Sequence, residues 1–225
     1  LNAIAGRRIT LQRWRGVDDV LGEWLFDANM DRRTLDAMME AVRSRRSLPR
    51  RFLAMKAQLL GQDRIGFADI DAPLNLGESV TFEWPVAEDL VMRAFGAYHP
   101  EFRTFAGSMF DKGYVEAEPR AGKRSGAFCT STKQDVTSRV FMTFRGAMGD
   151  VRTLAHELGH AYHNSVLWDI PVTNRRVPMT LAETASVFAE NVVRDAALNS
   201  AKTPGERLGM LDARLRSAVS FLMDI

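Results

Sequence analysis

The chain has 225 residues, of which 46% are hydrophobic and 26% are charged, and its formal net charge is +2 at pH 7. These values are typical of a globular protein with one large domain or two small ones, and they predict neither nucleic-acid binding nor a membrane span. The single cysteine, Cys129, excludes an internal disulfide. Since Leu1 opens no signal-peptide pattern, we expect a cytoplasmic protein.

The first part of the chain, residues 1–112, is predicted to be a helical lobe. Apolar residues at helical spacing predict helices over residues 17–25, from an N-cap at Asp31 to residue 42, and from residue 47 to a stop at Gly61. Two more helices are predicted to begin at Pro85 and Pro100, because proline favours the first helical position. Residues 65–70 are predicted to form a short strand.

A basic cluster interrupts this lobe between the second and third predicted helices. It consists of Arg43, Arg45, Arg46, Arg50 and Arg51. A solvated helix–turn–helix surface explains such a cluster better than a phosphate-binding patch does. A binding module that grips RNA or an acidic partner through these arginines nevertheless stays open as an alternative function.

The composition changes at Gly113, and residues 113–225 are predicted to form a second region, the catalytic core. A glycine-containing loop at 122–126 is followed by strand-like runs at 127–131 and 139–144. An extended peptide can add to an exposed strand edge through main-chain hydrogen bonds. Gly126, Ala127 and Phe128 are therefore candidate substrate contacts, although a purely structural hairpin is an equally good interpretation.

The segment from Asp150 to Trp168 is predicted to be a helix that binds a metal ion. Asp150 is a good N-cap, and the residues at 151, 154, 155, 158 and 162 form one apolar stripe. His156 and His160 are one turn apart, so both imidazoles can face the same ion. Together with Glu157 they form the H-E-x-x-H pattern, which predicts Zn²⁺ and a glutamate that acts as general base on a water at the metal.

Two histidines need a third protein ligand, and Glu183 is the first acidic residue on a helix that could face them. The alternative is a capping box, Thr180-x-x-Glu183, in which the carboxylate would only bond the start of its own helix. Glu190, two turns further on, is the second choice for the ligand. His163 is predicted to be a wall of the site, since three ligands along one straight helix would fan away from a tetrahedral centre.

Three segments together resemble oligoendopeptidase F-type members of the thimet-oligopeptidase (M3) family of zinc metallopeptidases. They are Asp150–His163 (DVRTLAHELGHAYH), Pro178–Glu190 (PMTLAETASVFAE) and Glu118–Cys129 (EPRAGKRSGAFC). The resemblance implies a mainly α, zincin-type catalytic core with a small β-hairpin or short sheet beside the H-E-x-x-H helix. It also implies a deep channel that admits short peptides.

The resemblance further implies one zinc ion per chain, with His156, His160 and Glu183 as ligands and Glu157 as general base. Members of the family are longer, and a later segment supplies a tyrosine or histidine that stabilises the oxyanion. The tyrosines here lie at positions 98, 114 and 162, at or before the zinc helix. We therefore expect the chain to be a fragment of a longer peptidase, and a fragment that is catalytically inactive through truncation stays open as an alternative.

The expected function is that of a zinc-dependent endopeptidase that hydrolyses internal bonds of short peptides, without nucleic-acid or membrane partners. A zinc aminopeptidase is an alternative within the enzymes, and cleavage from the N-terminus would reveal it. The binding module based on the arginine cluster is the alternative outside them, and steep salt dependence would reveal that one.

Overall fold

A computed structural model describes residues 1–70, 72, 74, 81–132 and 136–224 of the chain. The chain divides into two compact units. The first comprises residues 1–74, 178–180 and 214–225, and the second comprises residues 75–177 and 181–213. The boundary at residue 112 was drawn from sequence composition alone and stays a prediction.

The first unit is helical. Its elements are α1 (Asn2–Trp14), α2 (Gly22–Asp27), α3 (Arg32–Arg45), α4 (Ser47–Leu59) and a 3₁₀ turn at Phe67–Asp69. The expected N-cap is confirmed, because the Asp31 carboxylate accepts a hydrogen bond from the Thr34 backbone N–H at 2.6 Å. In α4 the fully buried Lys56 donates to the Ile70 carbonyl at 2.5 Å, which links the helix to the segment after the 3₁₀ turn.

Two predictions for this unit were wrong. The helix expected over residues 17–25 begins only at Gly22, because the Asp19 carboxylate accepts from the Leu21 N–H and holds the preceding residues in a turn. The strand expected at 65–70 is a 3₁₀ turn, in which the Asp69 carboxylate bonds the Gly66 N–H. Helix α1 was not predicted, since its sequence has little amphipathic pattern.

Among the described residues, the second unit contains the three strands and every helix that lies wholly outside the first unit. Its elements are α5 (Trp84–Tyr98), α6 (Pro100–Asp111), β1 (Val115–Glu116), β2 (Ala127–Thr132), β3 (Thr137–Met142), α7 (Met148–Leu167) and α9 (Thr184–Ser200). A second 3₁₀ turn lies at Val172–Asn174. Helices α8 (Met179–Ala182) and α10 (Pro204–Asp224) have residues in both units. The starts expected at Pro85 and Pro100 are each within one residue of the observed ones.

The three strands form one small sheet in the order β1-β3-β2. β2 and β3 pair antiparallel from Ala127 opposite Met142 to Thr132 opposite Thr137, while the two-residue β1 pairs parallel with β3. β2 is therefore an edge strand among the described residues. Helix α7 contacts both β2 and β3, so the sheet lies beside the H-E-x-x-H helix as expected.

Helix α7 passes through the core of the second unit. Its predicted apolar stripe is buried, with Val151, Leu154, Ala155 and Leu158 all fully inaccessible to solvent. The helix starts at Met148 rather than after Asp150, so the predicted N-cap was wrong. Asp150 instead reaches back from the first turn, and its carboxylate accepts from the Ala147 and Arg145 backbone N–H groups.

Helices α7 and α9 pack closely against each other at Gly159. A Cβ atom at this position would lie 2.7 Å from the Ala185 carbonyl oxygen, 2.8 Å from the Ser186 Cα and 2.9 Å from the Ala189 Cβ. These neighbours are mostly backbone, so they could not move aside without shifting α9. The absence of a side chain at Gly159 is thus what allows the two helices to be this close.

The architecture confirms the expected fold class, because the chain is mainly helical with one small three-stranded sheet. Within the described residues, no helix combines the length and the apolar character needed to cross a bilayer. In the second unit, α7 contacts α9 and the strands β2 and β3.

Gly159→Ala is expected to destabilise the protein by about 1–3 kcal/mol, because the added methyl group would push α9 away from α7. Gly209→Ala is the matched control, since Gly209 is exposed inside α10 and its Cβ would meet nothing within 4 Å among the described residues. The control is expected to gain about 0.5–1 kcal/mol from improved helix propensity. Urea unfolding measures both, and an unchanged stability for Gly159→Ala would contradict the packing argument.

Candidate metal centre

Two histidines from α7 form the first part of the site. His156 and His160 are one helical turn apart, and their Nε2 atoms lie 3.2 Å from each other. The rings are nearly perpendicular, at 83°, with their centroids 4.8 Å apart. The i, i+4 spacing of the H-E-x-x-H pattern therefore brings both imidazole nitrogens to one point, as expected for a helix.

Glu183 completes the group from the other side. It lies between α8 and α9, and its Oε2 atom is 3.2 Å from the Nε2 atoms of both His156 and His160. The hydroxyl of the fully buried Ser186 donates to the same Oε2 at 2.7 Å and holds the carboxylate in this direction. The capping-box interpretation was wrong, because α8 begins at Met179, before Thr180.

The three donor atoms fit a zinc ion in both spacing and chemistry. They form an equilateral triangle with sides of 3.2 Å, made by two imidazole nitrogens and one carboxylate oxygen. Tetrahedral angles with Zn–N and Zn–O distances of about 2.0–2.1 Å require donor separations of about 3.3–3.4 Å. Three protein donors of this type are also the number that catalytic zinc sites use, because a fourth position stays open.

Glu157 lies beside this triangle but is not part of it. Although the sequence placed it on a polar face, the residue is only 6% exposed. Burial raises the pKa of the Glu157 carboxyl, with a further contribution from the negative charge of Glu183, while the positive charge of His156 and the backbone N–H of Cys129 oppose the rise. A carboxylate with a raised pKa is suited to accept and return a proton.

A cavity of about 470 Å³ opens next to the histidines, and Gly126 and Ala127 line it together with His156 and Glu157. The start of the edge strand β2 therefore lines the same cavity as His156 and Glu157. Phe128 is not among the described lining residues, and its ring stacks on Phe141 at 5.0 Å between centroids.

His163 is half-buried on α7, where its charge helps to lower the pKa of His160, an effect that burial dominates. Its expected role as a wall of the site stays a prediction, as do the expected substrate contacts of Gly126, Ala127 and Phe128.

The arginine cluster forms a separate feature of the first unit. Arg43, Arg46, Arg50 and Arg51 surround an open depression of about 710 Å³ at the junction of α3 and α4, with Glu40 at its margin. These side chains belong to the exposed surface of the two helices. The arrangement agrees with the solvated helix–turn–helix interpretation, and a binding role for the cluster stays a prediction.

Comparison with known proteins identifies the family. The sequence model described as Peptidase family M3 matches residues 92–220, which is more than half of the chain and includes all four residues of the site. The chain belongs to peptidase family M3. The resemblance stated from the sequence motifs is therefore confirmed.

Curated relatives of this M3 chain include an oligoendopeptidase F homolog of Lactococcus lactis, which is 29% identical over 185 residues. The match covers 81% of this chain and 30% of the relative. The oligopeptidase PepF of Bacillus subtilis is 24% identical over 183 residues, covering 80% of this chain and 27% of that protein. The chain thus spans less than a third of the length of these relatives.

Solved structures show the same fold. The crystal structure of a candidate peptidase from Chlamydophila abortus matches with a TM-score of 0.82 and 23% identity, covering 96% of this chain and 37% of that one. The structure named PZ peptidase A with inhibitor 2 matches with a TM-score of 0.64 and 19% identity, covering 78% and 31%. At these identities the likeness supports the fold of this M3 chain alone.

Several residues around the site were missed by sequence reasoning. Ser186, which orients the Glu183 carboxylate, reads in sequence as an ordinary helical serine. Asn164 had a detectable signal, because it follows His156 and His160 at the same four-residue spacing. Glu190 was considered only as a ligand, but it contacts His156 through Nδ1, the ring nitrogen that does not face the triangle.

Asn164 anchors α7 to the sheet. Its amide nitrogen donates to the Ser131 hydroxyl of β2 at 2.8 Å and lies 3.4 Å from the Ser138 hydroxyl of β3. The two serine hydroxyls bond each other at 2.9 Å, and Ser138 is buried. This polar group ties the edge strand to the same helical face that carries the histidines.

Asn164→Ala is expected to lower the free energy of unfolding by about 1 kcal/mol, because the two serines lose a shared donor. A double-mutant cycle with Ser131→Ala is expected to show coupling of about 0.5–1 kcal/mol. Asn191→Ala is the control, since that amide donates within its own helix, to the Val187 carbonyl. A coupling energy of zero would mean that the contact does not fix the strand.

Proposed function

We propose that this chain carries a zinc site formed by His156, His160 and Glu183, and that the site serves hydrolysis of internal peptide bonds. The observation that carries the proposal is the triangle of three donor atoms, with 3.2 Å between each pair. Membership of family M3 supports zinc as the ion. The names of the relatives, oligoendopeptidase and oligopeptidase, support short peptides as the substrate class.

The chemistry follows from the donors and from the carboxylate beside them. A zinc ion, when bound, supplies a Lewis acid that polarises the scissile carbonyl and makes water a nucleophile at neutral pH. Glu157 accepts the proton of the attacking water and delivers it to the leaving amine. Burial raises the pKa of Glu157, so the carboxylate is a stronger base towards the proton of the attacking water than a solvated carboxylate would be.

The edge strand β2 offers a means of holding the peptide. Ala127 lines the cavity that contains His156 and Glu157, and among the described residues β2 pairs with β3 on one side only. Main-chain hydrogen bonds along the other edge would grip an extended peptide without regard to its sequence. The Glu183 side chain is 60% exposed, which leaves the donor triangle accessible from solvent. A cytoplasmic location remains an expectation from the sequence.

Zinc analysis tests the proposed ligands. The wild-type chain is expected to bind one zinc ion. His156→Ala, His160→Ala and Glu183→Ala are each expected to lose that ion, because only two of the three protein ligands remain. His99→Ala is the matched control, since that imidazole caps α6 by accepting from the Glu101 N–H. Elemental analysis after dialysis gives the answer, and full zinc content in the Glu183 variant would rule out the proposed third ligand.

Turnover tests the role of Glu157. Glu157→Gln is expected to retain zinc while the cleavage rate of a short internally quenched peptide falls by about 10²-fold or more, because the amide cannot accept the proton. Product masses separate internal cleavage from stepwise removal of N-terminal residues, which the aminopeptidase alternative predicts. A Glu157→Gln protein that cleaves normally would disprove the assignment, and absence of cleavage by the zinc-loaded longer protein that contains this chain would disprove the proposed activity.

A further inference from the structure

The second nitrogen of His156 has a partner of its own. The Nδ1 atom of His156 lies 2.7 Å from the Oε1 atom of Glu190, and the Glu190 side chain is only 16% exposed. The Nε2 atom of the same ring faces His160 and Glu183, each at 3.2 Å. The imidazole therefore contributes one nitrogen to the donor triangle and turns the other towards a half-buried carboxylate.

Two arginines hold that carboxylate in place. Its other oxygen, Oε2, is 3.5 Å from Nε of Arg152 and 3.6 Å from Nη2 of Arg194. Arg152 precedes His156 by one turn of α7, and Arg194 follows Glu190 by one turn of α9. One oxygen of Glu190 thus serves the histidine, while the other is fixed by charges from both helices.

The contacts of Glu190 are those of a carboxylate that only accepts hydrogen bonds. Its Oε2 atom lies within 3.6 Å of the guanidinium groups of Arg152 and Arg194, which can only donate, and its Oε1 atom lies 2.7 Å from Nδ1 of His156. An ionised carboxylate only accepts hydrogen bonds. The hydrogen of the neutral His156 ring must then lie on Nδ1, which leaves a free lone pair on Nε2.

We propose that Glu190 is a positioning residue that holds His156 in the Nδ1–H form and directs its Nε2 atom at the metal. The proposal rests on the zinc site proposed above and concerns how one of its ligands is oriented. It also explains why Glu190 is not itself a ligand. Its carboxylate lies on the Nδ1 side of the His156 ring, whereas the Nε2 atom faces His160 and Glu183.

The two arginines make the position of Glu190 depend on both α7 and α9. Since Arg152 comes from α7 and Arg194 from α9, the orientation of His156 depends on both helices keeping their spacing at Gly159. His156 is thereby held by partners on two elements. A histidine restrained in this manner loses less rotational freedom when it binds a metal ion.

Zinc affinity, measured by competition with a coloured chelator, tests the proposal in the whole chain. Glu190→Leu is expected to bind zinc about 10–100-fold more weakly than wild type. Glu190→Gln keeps an oxygen that can accept from Nδ1–H, and we expect it to recover most of that loss. Glu101→Leu, an exposed glutamate of α6, is the control and should bind as wild type does.

The tautomer of His156 gives a readout that does not require zinc. Nitrogen NMR of the metal-free chain at alkaline pH, with the His156 signals assigned by His156→Gln, is expected to show hydrogen on Nδ1 in wild type and in Glu190→Gln. Glu190→Leu is expected to lose that preference. Far-UV circular dichroism confirms that each variant is folded before its spectra are compared.

The outcomes separate this proposal from the zinc site itself. Glu190→Leu with wild-type zinc affinity, or a wild-type His156 that carries its hydrogen on Nε2, would overturn the positioning role while the ligands stand. A wild-type chain that binds no zinc would defeat the proposed site, and the tautomer measurement would still decide whether Glu190 orients His156. If Glu190→Leu alone fails to fold, Glu190→Gln and the wild-type tautomer decide the question.

Discussion

The close contact between α7 and α9 at Gly159 is the constraint on which the site depends. The Ala185 carbonyl and Ser186 Cα occupy the space that a side chain at 159 would need. Because Glu183 lies just before α9, this approach determines how near its carboxylate comes to the histidines of α7. The arrangement of three donor atoms 3.2 Å apart is thus a consequence of packing between two helices.

A second constraint is that several charged side chains lie close together around the partly buried His156. Three carboxylates, Glu157, Glu183 and Glu190, surround His156 within two helices, and they differ in exposure and in partners. The pKa of Glu157 is raised chiefly by burial, whereas that of Glu190 is lowered by the histidine and two arginines. The surroundings of these two glutamates therefore shift their pKa values in opposite directions.

Local sequence patterns predicted most of the elements near the site. Apolar periodicity located α7, and strand-like alternation located β2 and β3, because both patterns report which face of an element is buried. The wrong predictions in the first unit also had local causes. Asp19 and Asp69 bond nearby backbone N–H groups and hold turns where periodicity favoured a helix or a strand. Such side-chain bonds do not appear in any apolar pattern.

The sequence by itself determined the helix that carries His156 and His160, because four-residue spacing on a regular helix aligns two side chains without help from the rest of the chain. Only the tertiary structure decided between Glu183 and Glu190. Both come from the same region and both lie near His156, but one reaches its Nε2 atom and the other its Nδ1 atom. That choice depends on the distance and rotation between α7 and α9, which arise from contacts far apart in sequence.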